Sequence, residues 1–278
     1  MSTERVRALD GRVGLVTGSS RGIGAAIARC FAREGARVAV HGRDESAIAA
    51  EVDAIRRDGG AAISVTGDVT RIEDLERMRD EIERELGAVD ILVANAGGNF
   101  TAPGPFEDIP VDGWRASLEG NLTATFLTIR TFLPAMKRRG AGNIITISSA
   151  AARRPHPRSP VAYAAAKAGI QMLTQHLAVQ VGPAGVRVNC IAPETILTER
   201  NAQEIPDEIM PRLVEAHPIK RLGAPDDVAE AALFLASDPT ARKIGAIAGE
   251  KLSLTFRRKT DAQWRRHLQK PHFELSGP

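Results

Sequence analysis

The sequence has 278 residues, of which 43% are apolar and 26% charged, and it carries a formal net charge of +3. A chain of this length can bury one large core as a single α/β domain of ordinary size. No run of residues approaches the roughly 20 consecutive apolar positions of a membrane helix. These numbers indicate a globular protein and argue against a membrane span.

The charge is unevenly distributed along the chain. Residues 241–278 hold nine Lys or Arg against three Asp or Glu, a net of +6, which leaves −3 for the rest. A nucleic-acid-binding domain is expected to show a basic face, so the mildly acidic body predicts no nucleic-acid partner. The start, MSTERVRALDGRV, lacks the apolar segment of an export signal, and a cytoplasmic location is expected. Cys30 and Cys190 lie inside apolar runs without metal-ligand spacing, which predicts small core residues and no metal site.

Short apolar runs alternate with amphipathic runs in chain order. Strands are predicted at 12–17, 36–41, 61–66, 89–97, 142–149 and 185–193. Helices are predicted at 25–34, 44–58, 71–86 and 111–139, followed by a helix that holds Tyr163 and Lys167. Thr70 and Glu73 form a predicted capping box at the start of the third helix. This alternation predicts an α/β fold, a doubly wound, mainly parallel sheet with helices on both faces, of Rossmann type.

Polar and glycine residues follow each predicted strand. They are Gly18, Gly42 with Arg43, Asp68, Asn95, Ser149 and the segment 193–198. Ligands of a doubly wound sheet bind outside the carboxyl ends of its strands. We therefore expect these groups to meet at one edge and to form a ligand site.

The stretch TGSSRGIG, residues 17–24, joins the first strand to the first helix. Glycines let the backbone approach a pyrophosphate closely, and the free N–H groups of a helix start receive an anion. A tight turn without a ligand is the simpler explanation, but the strand–turn–helix context favours dinucleotide binding.

The end of the second strand bears on which dinucleotide binds. An acidic residue there binds the ribose of NAD, whereas an arginine suits the 2′-phosphate of NADP. Here Gly42 takes the acidic position, Arg43 follows it, and Arg21 lies in the glycine turn. The sequence thus favours NADP(H) over NAD(H), unless Arg43 only pairs with Asp44 or Glu45.

Tyr163 and Lys167 are four residues apart, so a helix presents both to the same side. A phenol titrates near pH 10, and a nearby ammonium favours its ionised form. This pair predicts a proton donor for carbonyl reduction, with the Ser149 hydroxyl orienting the substrate oxygen. The cofactor supplies the hydride chemistry.

Five motifs together resemble the short-chain dehydrogenase/reductase family in its single-domain form: TGSSRGIG, NAG at 95–97, NLTATF from Asn121, IITISS ending at Ser149, and YAAAK at 163–167. The likeness covers roughly residues 11–237. It implies a catalytic tetrad of Asn121, Ser149, Tyr163 and Lys167, in which Asn121 holds a water that relays protons to Lys167. It also implies that Asp68 and Val69 flank the adenine, that Asn95 lies at the nicotinamide side, and that Ile196 and Thr198 meet the carboxamide and pyrophosphate. The predicted cofactor-binding residues are Gly18, Ser20, Arg21, Gly22, Ile23, Gly24, Arg43, Asp68, Val69, Asn95, Ala96, Gly97, Tyr163, Lys167, Pro193, Ile196 and Thr198.

The chain departs from the family pattern in three places. Glu194 stands where a glycine is expected after the sixth strand, so its charge must find a partner or point away. The loop before Tyr163 carries Arg153, Arg154, His156 and Arg158, which either line the mouth of the site or are simply exposed. IAGEKLSL, residues 247–254, resembles a seventh strand. Residues 1–254 are therefore predicted as one domain, with 255–278 as an atypical basic tail.

Three functions remain open from the sequence. The first is an NADPH-dependent reductase of a ketone, with a 3-oxoacyl, steroid-like, sugar or xenobiotic carbonyl as substrate. Val179 and Gln180 stand where cations would hold a carrier protein, which weakens the 3-oxoacyl reading. The second is an NAD-dependent alcohol or sugar dehydrogenase, and the third is a cofactor-binding regulator without catalysis. The resemblance also implies a homodimer or homotetramer that acts on a small carbonyl or alcohol substrate.

Overall fold

The computed structural model of the chain describes residues 7–155 and 159–237. Its sheet has six strands: Val13–Val16 (β1), Arg37–Gly42 (β2), Ala61–Thr66 (β3), Ile91–Ala94 (β4), Gly142–Ile147 (β5) and Val186–Ile191 (β6). Their order across the sheet is β3-β2-β1-β4-β5-β6, and every neighbouring pair is parallel. The strand order reverses between β1 and β4, where ligands of such sheets bind. The predicted doubly wound architecture is confirmed.

Helices cover both faces of this sheet. They are Gly22–Arg33 (α1), Glu45–Arg57 (α2), Ile72–Glu85 (α3), Val111–Leu118 (α4), Ala124–Arg139 (α5), Val161–Val181 (α6), Glu199–Glu204 (α7), Met210–Ala216 (α8) and Pro225–Ala236 (α9). Residues of α1, α2 and α9 form the core on one face, and residues of α3, α5 and α6 form the core on the other. Central strands covered on both sides need apolar side chains throughout, and β1 and β4 are buried at every position.

The predicted capping box at the third helix is wrong. Arg71 occupies the N-cap position of α3, and no side chain caps the helix there. The Thr70 hydroxyl instead donates to Asp68 Oδ1 at 2.7 Å. The reason is local competition, since a carboxylate two residues upstream offers Thr70 a charged acceptor before the helix begins.

The predicted helix over 111–139 is interrupted by one wide turn. Residues Glu119–Thr123 form a π-helical turn between α4 and α5. Such turns insert an extra residue into a helix and often occur at functional sites. Here the inserted turn contains Asn121, whose side chain is fully buried.

Cys30 is buried in the core, as predicted, whereas Cys190 is only half-buried. Cys190 lies on β6, at one edge of the described sheet. The predicted seventh strand, the tail at 255–278, the division at residue 254, His156 and Arg158 lie outside the described residues. Within the described ranges, no helix has the length and apolar content to cross a membrane.

Candidate active site

The glycine turn after β1 has the backbone shape predicted for it. Gly18 and Gly22 have φ of 64° and 57°, which few residues other than glycine adopt. A β-carbon on Gly24 would lie 2.2 Å from the Gly18 carbonyl oxygen, so only glycine fits there. In the part of the chain that the structure describes, no side chain caps the start of α1 and its first turn holds no acidic residue. The turn therefore leaves room and a positive helix end for an anionic pyrophosphate.

The end of β2 lies beside this turn. A β-carbon on Gly42 would lie 3.1 Å from Ser20 Oγ, which places the end of β2 directly against the glycine turn. Arg21 Nη2 is 3.4 Å from Asp44 Oδ2, with both side chains largely exposed. It is thus Arg21, not Arg43, that pairs with Asp44, and Arg43 makes no ion pair with any described residue. An exposed, unpaired guanidinium beside the turn is available to a phosphate group.

Asp68 and Val69 follow β3, as predicted. The Asp68 carboxylate accepts from the Thr70 N–H at 2.9 Å as well as from its hydroxyl. Burial raises the pKa of Asp68, but these hydrogen bonds and the charge of Arg43 outweigh burial and hold the pKa below its ordinary value. Asp68 is therefore ionised at neutral pH and is fixed in place.

The segment after β4 is tied to the glycine turn. The side-chain amide of Asn95 donates to the Thr17 carbonyl at 2.8 Å and to the Gly18 carbonyl at 3.1 Å. The Thr17 hydroxyl accepts from the N–H groups of Asn95 and Ala96 at 3.0 and 3.1 Å. Asn95, which follows β4, thus stabilises the glycine turn that follows β1. The strand order reverses between these two strands.

The four predicted catalytic residues come together at the carboxyl edge of the sheet. The Ser149 hydroxyl lies near enough to the Tyr163 phenol to lower its pKa, and Lys167 Nζ lies 5.5 Å from the centroid of the Tyr163 ring. Lys167 is buried and donates to the Ile147 carbonyl oxygen at 2.9 Å. A β-carbon on Gly97 would meet both Asn121 Oδ1, at 2.5 Å, and Lys167 Nζ, at 3.4 Å. Gly97 is therefore the point where the Asn121 and Lys167 side chains approach each other.

Burial controls the ionisation of this pair. It raises the pKa of Tyr163 more than the Ser149 hydrogen bond lowers it, and it lowers the pKa of Lys167 to about 8. Lys167, whose Nζ lies 5.5 Å from the centre of the phenol ring, does not outweigh this effect of burial on the pKa of Tyr163. Tyr163 is consequently protonated at neutral pH, the state that a general acid needs.

Asn121 is held rigidly by the π-helical turn. Its Nδ2 donates to the carbonyls of Ser117 and Gly98, both at 2.9 Å, and its Oδ1 accepts from the Gly98 N–H at 3.1 Å. The Asn121 side chain thus bonds both the loop after β4 and the helix that carries it. Asn121 Oδ1 and Lys167 Nζ both lie next to Gly97.

The segment after β6 arches over the site. Pro193 accepts the Ala150 N–H at 2.8 Å beside Ser149, Ile196 is buried, and the Thr198 hydroxyl caps α7. Glu194 is exposed. This segment approaches two glycines of the other loops. Thr198 Cγ2 lies 3.4 Å from where a β-carbon on Gly22 would be, and Arg200 Nη1 lies 3.6 Å from where a β-carbon on Gly98 would be.

The sequence analysis missed His41, the residue before the last of β2. Its Nδ1 accepts from the Gly18 N–H at 2.9 Å, and its Nε2 bonds the Gly67 carbonyl oxygen at 3.1 Å. Burial lowers the pKa of His41 to about 4, so the ring is neutral at pH 7. A histidine at the carboxyl end of the apolar run VAV was the available signal. Among the described residues no group of His, Cys, Asp or Glu is arranged to hold a metal ion.

An enzyme that places a protonated phenol at the mouth of a dinucleotide cleft belongs to the class of nicotinamide-dependent oxidoreductases. Comparison with known proteins identifies the family. A family model described as enoyl-(acyl carrier protein) reductase matches residues 18–252. Glucose 1-dehydrogenase 2 of Bacillus subtilis (strain 168) is 36% identical over 240 residues, which are 86% of this chain and 92% of that protein.

Solved structures agree with this match. A 7α-hydroxysteroid dehydrogenase complexed with NADH and 7-oxo glycochenodeoxycholic acid has a TM-score of 0.82 and 38% identity over 88% of this chain and 94% of its own. A gluconate 5-dehydrogenase from Burkholderia cenocepacia J2315, in complex with NADP and tartrate, has a TM-score of 0.79 and 33% identity over 86% and 93%. The chain belongs to the short-chain dehydrogenase/reductase family and is an NAD(P)-dependent oxidoreductase that transfers a hydride between an alcohol and a ketone.

Proposed function

We propose that this protein is an NADPH-dependent ketone reductase in which Tyr163 donates the proton to the substrate oxygen. The observation that carries the proposal is the grouping of Tyr163 with Ser149 and the buried Lys167 at the carboxyl edge of the sheet. The bound cofactor supplies the hydride. Tyr163 is protonated at neutral pH, Ser149 offers a hydroxyl to the same oxygen, and Asn121 and Lys167 provide polar groups from which Tyr163 regains a proton.

The preference for NADP(H) is supported by the exposed cations beside the glycine turn. Arg43 has no ion-pair partner among the described residues, and Arg21 is held only by the exposed carboxylate of Asp44. Gly42 supplies no acidic side chain at the end of β2, where the ribose of NAD would require one. A 2′-phosphate would displace Asp44 from Arg21 and gain Arg43 as a second partner.

The cofactor proposal is tested by kcat/KM with NADPH and NADH for the native protein and for Arg43→Gln and Arg21→Gln. We expect a preference for NADPH, and a drop of about tenfold or more in kcat/KM with NADPH for each variant, because a charge-assisted hydrogen bond contributes about 1.5–3 kcal/mol. Turnover with NADH serves as the internal control and should change little. A native preference for NADH would contradict the proposal.

A ketone with an apolar body fits the mouth of the site best. Phe100 and Phe106, which follow β4, and Leu197, which follows β6, are exposed large apolar side chains. Related proteins act on hydroxysteroids as well as on sugars, as their names state. Kinetics with a cyclic ketone, such as a 7-oxo bile acid, and with an aldonic or aldose substrate separates the two classes. A preference for the sugar would contradict the apolar substrate.

An NAD-dependent alcohol or sugar dehydrogenase is the second candidate function. It is favoured by the likeness to glucose 1-dehydrogenase 2 and to a hydroxysteroid dehydrogenase complexed with NADH. The same NADPH and NADH measurements, made with alcohols in the oxidative direction, decide between the two. A cofactor-binding regulator would show cofactor binding without turnover of any substrate.

We also propose that the protein forms a homodimer or homotetramer through the outer face of α5 and α6. Phe126, Met172 and Val179 on these helices are 48%, 53% and 66% exposed, although all three are apolar. An apolar groove between the helices runs beside them, lined by Phe126, Leu133, Leu173 and Leu177. Exposed apolar surface of this kind marks an interaction site. The cytoplasmic location and the absence of a nucleic-acid partner stay predictions.

A further inference from the structure

His41 is a buried polar side chain for which the proposed reaction has no direct use. It lies at the end of β2, is 2% exposed, and is bonded through both ring nitrogens. The Gly67 carbonyl can only accept, so Nε2 carries the hydrogen and Nδ1 has the lone pair that the Gly18 N–H needs. The two contacts therefore require the neutral Nε2–H tautomer.

The first of these contacts fixes the glycine turn. The N–H of Gly18 is held by His41 and its carbonyl by Asn95, at 2.9 and 3.1 Å, so both sides of a left-handed residue are fixed. The main chain of His41 adds two bonds to the next residue, because its carbonyl accepts from the Ser19 N–H at 2.8 Å and its N–H donates to Ser19 Oγ at 2.9 Å. These hydrogen bonds to Gly18 and Ser19 hold the backbone of the glycine turn in place.

The second contact reaches the other loop at this end of the cleft. Gly67 immediately precedes Asp68 and Val69, and its N–H is bonded to the Gly42 carbonyl at 3.2 Å. The His41 ring thus lies beneath both loops and joins them through one rigid aromatic plane.

We propose that His41 is a positioning residue for the dinucleotide: its Nδ1 sets the cofactor affinity by holding the Gly18 turn in the conformation that receives the pyrophosphate, while the bond from Nε2 to Gly67 selects the tautomer, and the ring does not touch the cofactor. This inference rests on the proposed function. Affinity is gained because the binding surface is ordered before the ligand arrives. A residue that only stabilised the core would act on folding and leave cofactor affinity unchanged.

Two amide variants separate these roles, because each keeps one of the two contacts. His41→Asn places an acceptor near the position of Nδ1 and retains the bond to Gly18. His41→Gln places a donor near the position of Nε2 and retains the bond to Gly67. Each variant loses one buried hydrogen bond, so their free energies of unfolding form a matched control. His41→Leu removes both contacts.

The dissociation constants of NADPH and NADH are measured by fluorescence titration, together with KM and kcat. We expect at least a tenfold weaker affinity for His41→Gln and His41→Leu and less than a threefold change for His41→Asn, with the effect on KM of the cofactor exceeding that on kcat. Equal weakening in the two amide variants, or affinities that follow the free energies of unfolding, would overturn the proposal.

If the variants do not fold, a measurement on the native protein still tests the proposal. The ¹⁵N chemical shifts of the His41 ring at pH 7 should report the neutral Nε2–H tautomer. The Nδ1–H tautomer or a charged ring would overturn the proposal, because neither can accept from the Gly18 N–H. If the native chain bound neither NADPH nor NADH, both the proposed function and the positioning role would be overturned. If only the His41 variants departed from the expected affinities, the positioning role would be overturned and the proposed function would stand.

Discussion

Tyr163 lies in the first turn of α6, where burial and a hydrogen bond to Ser149 act on its pKa in opposite directions. Burial wins, so the phenol keeps its proton at neutral pH. A donor that is already protonated and has a second hydroxyl beside it suits reduction, in which the substrate oxygen becomes negative as hydride arrives.

Tyr163→Phe removes this proton while preserving the ring that faces Lys167. We expect kcat for ketone reduction to fall by about 10²–10⁴, the usual contribution of a positioned general acid. Cofactor binding, followed by fluorescence titration, should stay within about threefold because the ring and its packing remain. A variant with native kcat would show that another group delivers the proton.

The burial of Lys167 predicts that the free energy of unfolding depends on pH. Its pKa is about 8 in the folded chain and about 10.4 in an unfolded one. Between these values the unfolded chain binds more protons, so the stability contribution of this group rises with pH through this window and is lowest below pH 8. The difference of about 2.4 pKa units corresponds to about 3 kcal/mol.

Lys167→Met should abolish this pH dependence, because methionine has no charge to desolvate. We expect the free energy of unfolding of the native protein to rise, relative to that of Lys167→Met, by about 3 kcal/mol between pH 8 and pH 10.4. Urea unfolding at several pH values measures the difference, and the subtraction cancels the titration of other groups. A constant difference across this range would contradict the burial of a charged lysine.

The junction of β1 and α1 depends on the absence of one β-carbon. At Gly24 that carbon would lie 2.2 Å from the Gly18 carbonyl oxygen and 2.8 Å from Ser19 Cα. Both are backbone atoms of the turn itself, so they cannot rotate away as a side chain would. Gly182, after α6, has φ of −52° and nothing within 4 Å of the same position.

Gly24→Ala and Gly182→Ala therefore form a matched pair. We expect Gly24→Ala to lose about 1–3 kcal/mol of unfolding free energy through overpacking, and to lose cofactor affinity as well. Gly182→Ala should gain about 0.4–1 kcal/mol, because alanine restricts the unfolded chain at a compatible position. Urea unfolding and cofactor titration check both. Similar effects in the two variants would contradict the steric argument.

At the scale of the whole molecule, the outer face of α5 and α6 is the surface that we propose for association. Val179 is 66% exposed there, while Val111, the first residue of α4, is 63% exposed elsewhere. A charge buried without a partner costs several kcal/mol, whereas the same charge in water costs little.

Val179→Asp should therefore convert the native dimer or tetramer into smaller species, and Val111→Asp should leave its mass unchanged. Analytical ultracentrifugation at several concentrations measures both. A monomeric native protein, or equal behaviour of the two variants, would contradict the proposed interface.

Much of this architecture was predictable because it depends on local pattern. Alternating strands and helices gave the doubly wound sheet, and all six described strands lie where the apolar runs placed them. The glycine turn was predictable for the same reason, since a positive φ calls for glycine whatever the surroundings. The capping box at α3 failed because Asp68, which the pattern did not weigh, offered Thr70 a better partner.

The sequence by itself determined the order of elements, the glycine turn and the pairing of Tyr163 with Lys167, because these follow from spacing along the chain. Only the tertiary structure decided that Lys167 lies over the phenol ring, that Arg21 takes Asp44, and that His41 joins two loops. Those contacts link residues on different elements, or depend on how deeply a group is buried. Burial and partners across the fold set pKa values and side-chain choices, and no short stretch of sequence contains them.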